Sequence, residues 1–163
     1  MKTKRNIKVS VVCITYNHRN YIEQALNGML MQETSFDYEI IVGDDCSKDG
    51  TAEVITRFSE NNPDKIIPII REKNIGIQDN LINLLTIAKG EYIALCEGDD
   101  FWTDPLKLQV QANFLDSNKA CGLVFHPVTV KYENTDNQDS VFPEGSGNFT
   151  LERLLQDNYI QTN

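Results

Sequence analysis

The sequence predicts an α/β fold, a three-layer arrangement with a mostly parallel sheet between helices on both faces. Three observations carry that expectation. Short apolar runs alternate four times with stretches of helical periodicity, joined by brief connections. The runs are apolar throughout rather than alternating, as strands covered on both faces are. Polar and acidic clusters follow the runs directly, where open α/β sheets gather their ligands.

The elements follow in order. Lys2, Lys4, Arg5 and Lys8 form a basic arm, which as a rule is a solvated tail and in the less common case touches an anionic membrane surface. Residues 9–14 read as the first strand, ending at Thr15-Tyr16-Asn17-His18, small polar side chains suited either to contacting a ligand or to capping the next helix. His18 reads as a surface or capping histidine. Ile22, Ala25, Leu26, Met29 and Leu30 then recur at helical spacing.

Residues 38–42 form the second strand, followed by Gly43-Asp44-Asp45-Cys46-Ser47-Lys48-Asp49-Gly50-Thr51. Asp44 and Asp45 could accept hydrogen bonds from ribose hydroxyls or a base N–H, and a turn role for both is equally consistent with the pattern. Ser47 and Asp49 are candidate caps for a helix over 51–61 with Val54, Ile55 and Phe58 inward. Residues 66–70 form a third strand whose Pro68 assigns it to a sheet edge or bulge. After the polar turn Arg71-Glu72-Lys73-Asn74-Ile75-Gly76, a helix places Ile77, Leu81, Leu84, Leu85 and Ala88 on one face.

The fourth strand, residues 92–96, stops at Glu97-Gly98-Asp99-Asp100, three carboxylates within four residues. Such crowding is unfavourable unless protons are taken up or a cation is shared, and hard oxygen ligands suit Mg²⁺ or Mn²⁺. The implied ligand is a metal-bound diphosphate, against a solvated acidic turn as the plain alternative. Trp102 is suited to sugar stacking or to the core. Asp104 is the expected cap, with Pro105 at the first position, of a helix whose inner face is Leu108, Ala112 and Leu115. Residues 122–130 read as a further strand broken by Pro127, with His126 a structural histidine. Residues 132–148 turn polar and read as a surface excursion, and Phe149-Thr150-Leu151 restarts a helix.

Composition narrows the function. The 163 residues, 40% hydrophobic and 24% charged, suit one domain spanning 1–163. A formal charge of −9 opposes nucleic-acid binding, whose phosphate contacts need clustered Lys and Arg. No apolar run approaches the ~20 residues of a spanning helix, so a cytoplasmic protein is expected, at most peripheral at the inner face of the membrane. Cys13, Cys46, Cys96 and Cys121 lack paired spacing and read as reduced thiols.

These motifs resemble the family 2 glycosyltransferases and their nucleotide-sugar-binding GT-A fold. Val9-Ser10-Val11-Val12-Cys13-Ile14-Thr15-Tyr16-Asn17 is similar to the family's first strand and its ending. Asp44-Asp45-Cys46-Ser47-Lys48-Asp49-Gly50-Thr51 is similar to its Asp-Asp-x-Ser-x-Asp-Gly-Thr loop. Asn74-Ile75-Gly76 with Asn80 resembles the third element, and Glu97-Gly98-Asp99-Asp100 stands in place of the Asp-x-Asp metal motif.

The resemblance implies that Thr15, Tyr16 and Asn17 line the nucleotide pocket, with Asn74, Gly76, Glu97 and Gly98 around it, and that Asp44 and Asp45 hold base and ribose. Asp99 would coordinate Mn²⁺ or Mg²⁺, a role Asp100 could share. Glu97 departs from the usual aspartate and is open to metal or ribose.

The function implied is inverting transfer of a sugar from a nucleoside diphosphate, a UDP-sugar by preference, to a saccharide or lipid-linked acceptor in bacterial surface polysaccharide synthesis. No residue matches the family's catalytic base, which is expected beyond Asn163, so the chain is expected to be the donor-binding part of a longer one. A non-catalytic nucleotide-sugar-binding module and a sugar nucleotidyltransferase are the alternatives. The latter would want a basic, Gly-rich phosphate loop early in the chain. A dinucleotide enzyme is disfavoured by the absence of Gly-x-Gly-x-x-Gly after the first strand.

Overall fold

The computed structural model describes residues 6–133, 135–142, 150 and 152. In order they form β1 (Ile7–Thr15), α1 (Ile22–Leu30), β2 (Asp37–Asp44), α2 (Thr51–Asn61), β3 (Ile66–Ile70), α3 (Ile77–Ile87), β4 (Tyr92–Leu95), α4 (Lys107–Ser117), β5 (Val128–Val130) and β6 (Ser140–Phe142). The first four strands make one parallel sheet in the order β3-β2-β1-β4. β5 and β6 pair separately as an antiparallel ribbon.

This order explains the layering. Steps from β1 to β2 to β3 run in one direction, and the step from β3 to β4 reverses over the top of both. Right-handed crossovers then put α1 and α2 on one face and α3 on the other. The core follows suit. Val9, Val11, Cys13, Ile40 and Val42 face α1, α2 and α4, where Ile22, Leu26, Met29, Ile55 and Leu108 are buried. Val12, Ile14 and Ile41 face α3 through Leu84. Each fully buried Leu or Ile contributes about 1.5–3 kcal/mol, so α1, with Ile22, Leu26 and Met29 all inaccessible, is the best anchored helix.

Buried polar groups fix the connections. Gln32 donates to the carbonyls of Gly28 (3.2 Å) and Asp104 (2.8 Å) and accepts from the Leu108 N–H (3.0 Å), which ties the end of α1 to the segment entering α4. At the amino ends of the strands, Ser10 and Glu39 receive the Lys89 N–H, and Ser10 also receives the Gly90 N–H, holding the turn into β4.

Several expectations need correction. Ile77 and Leu85 do not face the core but stand 64% and 40% exposed. α3 covers its face of the sheet chiefly through Leu84, with Leu81 and Ala88 partly buried. Asp104 and Pro105 precede α4 rather than starting it: Asp104 Oδ1 accepts the Leu106 N–H at 2.8 Å and shapes a turn, and the helix begins at Lys107. Of residues 122–130 only Val128–Val130 is strand, because Pro127 cannot donate to a ladder, and its partner β6 lies in the stretch expected to be a polar excursion. Pro68 does sit in an edge strand, as expected. The helix expected from residue 149 falls almost wholly outside the described residues. Among the described residues no helix is long and apolar enough to cross a membrane.

Candidate functional site

All four carboxyl ends of the parallel strands open on one edge, and the strand order reverses between β1 and β4. The loops leaving these two strands lead into α1 and α4 on the same face and meet at this edge, the end of the sheet where such folds gather their ligands. Thr15 ends β1 there, and Glu97-Gly98-Asp99-Asp100 follows β4.

The loops after β1 and β2 are stitched together. Asn17 adopts φ 57°, a left-handed conformation that asparagine tolerates better than most residues. Its N–H donates to Ser47 Oγ at 2.8 Å and its Oδ1 accepts the Lys48 N–H at 2.9 Å. The Arg19 N–H donates to Asp49 Oδ2 at 2.9 Å, while Asp49 Oδ1 receives the Thr51 N–H at 3.0 Å at the start of α2. Neither expected cap stands at the cap position, which Gly50 occupies: Asp49 bonds the first residue of α2 from just outside it, and Ser47 serves the neighbouring loop. Tyr16 is left at the rim, 46% exposed.

Asp44 and Asp45 are both buried, and both are used by the protein itself. Asp44 accepts the Ser47 N–H at 3.0 Å and the Ser47 hydroxyl. Asp45 accepts the N–H groups of Ile75 and Gly76, each at 2.8 Å, so one carboxylate carries the entire Asn74-Ile75-Gly76 turn. Asn74 Nδ2 returns a bond to the Asp45 carbonyl at 3.2 Å. Asn80 is buried, donates to the Gly43 carbonyl at 2.8 Å and accepts from Arg71 Nε at 3.0 Å. Arg71 thus stands fixed at the end of β3, a placement the sequence reading passed over as part of a polar turn.

The acidic segment is fastened to β1. The Cys96 N–H donates to the Val12 carbonyl (3.2 Å) and the Gly98 N–H to the Ile14 carbonyl (2.9 Å), extending the parallel ladder past β4. Gly98 is buried against Thr15 and His18: a Cβ there would lie 2.4 Å from Thr15 Oγ1, 2.6 Å from Thr15 Cβ and 3.0 Å from His18 Nδ1. Only glycine allows this approach. The turn closes with the Asp100 N–H on the Glu97 carbonyl at 3.2 Å. The Asp99 side chain is 47% exposed, with Oδ1 3.5 Å from His18 Nδ1. Asp100 is half buried, and its carboxyl is pushed up to about 6 by burial first and by Asp99 and Glu97 after it. Trp102 belongs to the core rather than the rim, with the Lys107 ammonium over its ring at 4.1 Å.

The donor set suits a divalent cation of a particular kind. Among the described residues no three His, Cys, Asp or Glu side chains gather closely enough to hold an ion by themselves. Mg²⁺ and, by the same oxygen preference, Mn²⁺ are commonly held by one or two carboxylates together with substrate phosphates, and Asp99 and Asp100 are the neighbouring carboxylates that could serve as such a pair. The buried Thr15 Oγ1 and His18 Nδ1 lack hydrogen-bond partners among the described residues, and both border Gly98.

Comparison with known proteins agrees with this architecture. The profile of glycosyl transferase family 2 matches residues 10–162. The chain is 45% identical over 157 residues to an uncharacterized protein of Mycobacterium tuberculosis, covering 95% of this chain and 45% of the relative. It is 33% identical over 117 residues to the putative teichuronic acid biosynthesis glycosyltransferase TuaG of Bacillus subtilis, covering 72% of this chain and 45% of that protein. Among solved structures, residues 1–349 of Staphylococcus aureus TarS in complex with UDP superpose with a TM-score of 0.61 at 29% identity, covering 69% of this chain and 33% of that one. The mannosyltransferase PcManGT of Pyrobaculum calidifontis, in complex with GDP-Man and Mn²⁺, gives 0.60 at 25%, covering 70% and 36%. The protein belongs to glycosyl transferase family 2, and its fold is of the GT-A kind. The chain spans about 45% of the length of the mycobacterial relatives it matches.

Proposed function

We propose that this chain forms the donor-binding part of a glycosyltransferase that moves a sugar from a nucleoside diphosphate to an acceptor hydroxyl with inversion, in the synthesis of a surface polysaccharide. The observation that supports the reading is the packing of Gly98 onto Thr15 and His18 where the strand order reverses, with Asp99 Oδ1 3.5 Å from His18 Nδ1 beside it. TuaG, named for teichuronic acid biosynthesis, supports the polysaccharide setting, and the solved relatives with UDP, UDP-GlcNAc or GDP-Man support a nucleotide-sugar donor.

In this reading Thr15, Tyr16 and Asn17 line one wall of the nucleotide pocket, with Tyr16 open at the rim for stacking. Asp44 and Asp45 shape the base and ribose side: each carboxylate keeps lone pairs beyond those its backbone partners use, and Asp45 sets the Asn74 to Gly76 turn that closes the pocket. Asp99 and Asp100 hold Mn²⁺ or Mg²⁺, and Glu97 and Gly98 complete the wall. A divalent ion bound there supplies positive charge where the diphosphate leaves, the kind of electrostatic contribution that often dominates catalysis. The base that deprotonates the acceptor is assigned to none of the residues named here. The chain works in the cytoplasm, with peripheral contact at the inner face of the membrane when the acceptor is lipid-linked.

Calorimetric titration of UDP, GDP, CDP and dTDP into the protein with Mn²⁺ present tests the reading. UDP is expected to bind, about tenfold more tightly than the other three, a difference of ~1.4 kcal/mol. Failure of all four to bind would contradict it.

A further inference from the structure

We propose that His18 is a positioning residue for Asp99, donating from Nδ1–H to one carboxylate oxygen so that the other is presented to the cation. The proposal rests on the donor-site reading above. His18 sits at the entrance of α1, and its backbone already has work there: its carbonyl accepts the N–H groups of Tyr21 and Ile22, each at 2.9 Å. The side chain is therefore not needed as a cap. It turns back onto the acidic loop, with Nδ1 3.0 Å from where a Cβ on Gly98 would stand and 3.5 Å from Asp99 Oδ1.

Two facts give that nitrogen a task. Nδ1 is buried and has no hydrogen-bond partner among the described residues, an arrangement that costs free energy unless a partner is acquired. The ring as a whole keeps 24% of its surface, so the buried edge is the one aimed at Asp99. A separation of 3.5 Å is longer than a hydrogen bond, and such contacts commonly tighten when the ligand is in place. Carboxylates that ligate metals are as a rule held by a second hydrogen bond of this type, whose loss costs about 10–100-fold in metal affinity.

The assignment makes His18→Asn and His18→Leu informative as a pair. The asparagine amide places an N–H near the position of Nδ1, and leucine keeps bulk without a donor. Calorimetric titration of Mn²⁺ into protein saturated with UDP should show affinity lowered about 10–100-fold in His18→Leu and largely restored in His18→Asn. UDP binding in EDTA should be equal in all three proteins, which a general structural defect would not allow. Nitrogen NMR of the intact protein at pH 8.5 supplies a readout independent of nucleotide and of folding in the variants: the proton is expected on Nδ1. An Nε2–H tautomer, an unaltered Mn²⁺ titration in His18→Leu, or equal weakening in both variants would each overturn the role and leave the donor-site reading standing. Wild-type protein that binds no Mn²⁺ in the presence of any of the four nucleoside diphosphates would overturn both.

Discussion

Gly98→Ala is expected to lower affinity for a metal–nucleoside diphosphate by about 100-fold, the loss that a displacement of roughly 1 Å produces at a preorganised site. The added methyl has nowhere to go. Its three nearest neighbours lie at 2.4, 2.6 and 3.0 Å, and two of them belong to Thr15, whose side chain is buried at the end of β1. The ladder bond from the Gly98 N–H to the Ile14 carbonyl holds the loop from the other side. Either that bond lengthens and the Asp99–Asp100 pair swings outward, or Thr15 is pushed back into the pocket wall. Overpacking of this kind costs about 1–3 kcal/mol, less than the whole stability of a typical domain, so the variant should fold and its binding can be measured. Thermal melting alongside titration separates the two effects. Wild-type affinity in Gly98→Ala would mean that this loop is not the cation site.

Asp45→Ala is expected to be the most destabilising substitution at the site. Asp45 is 3% exposed, and its carboxylate accepts two backbone N–H bonds of 2.8 Å from Ile75 and Gly76. Bonds to a charged acceptor are the strong ones, and removing the acceptor leaves two donors unsatisfied, for a loss of about 3–5 kcal/mol. Asp45→Asn keeps one acceptor oxygen and should lose roughly half as much. Urea unfolding of the three proteins gives the comparison. In Asp45→Ala the Asn74 to Gly76 turn is released, so nucleotide affinity should fall even at temperatures where the sheet is intact. Equal stability of wild type and Asp45→Ala would show that the turn is held by other means.

The sheet and its helices were legible because buried parallel strands and amphipathic helices write their periods plainly: the α1 face of Ile22, Ala25, Leu26 and Met29 is buried in full. α3 was harder, since a helix over a half-covered face carries more apolar residues than it buries, and periodicity alone cannot distinguish Leu84 from Leu85. The start of α4 was misplaced because an aspartate followed by proline shapes a turn as readily as a helix start. At the site, the sequence located the loops but not how they meet. That Asp45 carries the turn after β3 depends on β2 and β3 being neighbours, and the place of His18 depends on β1 adjoining β4. Spacing in sequence records neither. A histidine three residues beyond a strand that ends at the switch point, facing a glycine between acids just after the adjacent strand, is the signal that would have found it.

The most direct test of the central claim, that Asp99 and its neighbours bind a cation together with a nucleoside diphosphate, is the calorimetric titration of UDP with Mn²⁺, repeated in EDTA and with Asp99→Ala. Binding that is strong in the first case and weakened at least about tenfold in both others, ~1.4 kcal/mol or more, is the predicted result. UDP binding equal in all three would contradict the claim.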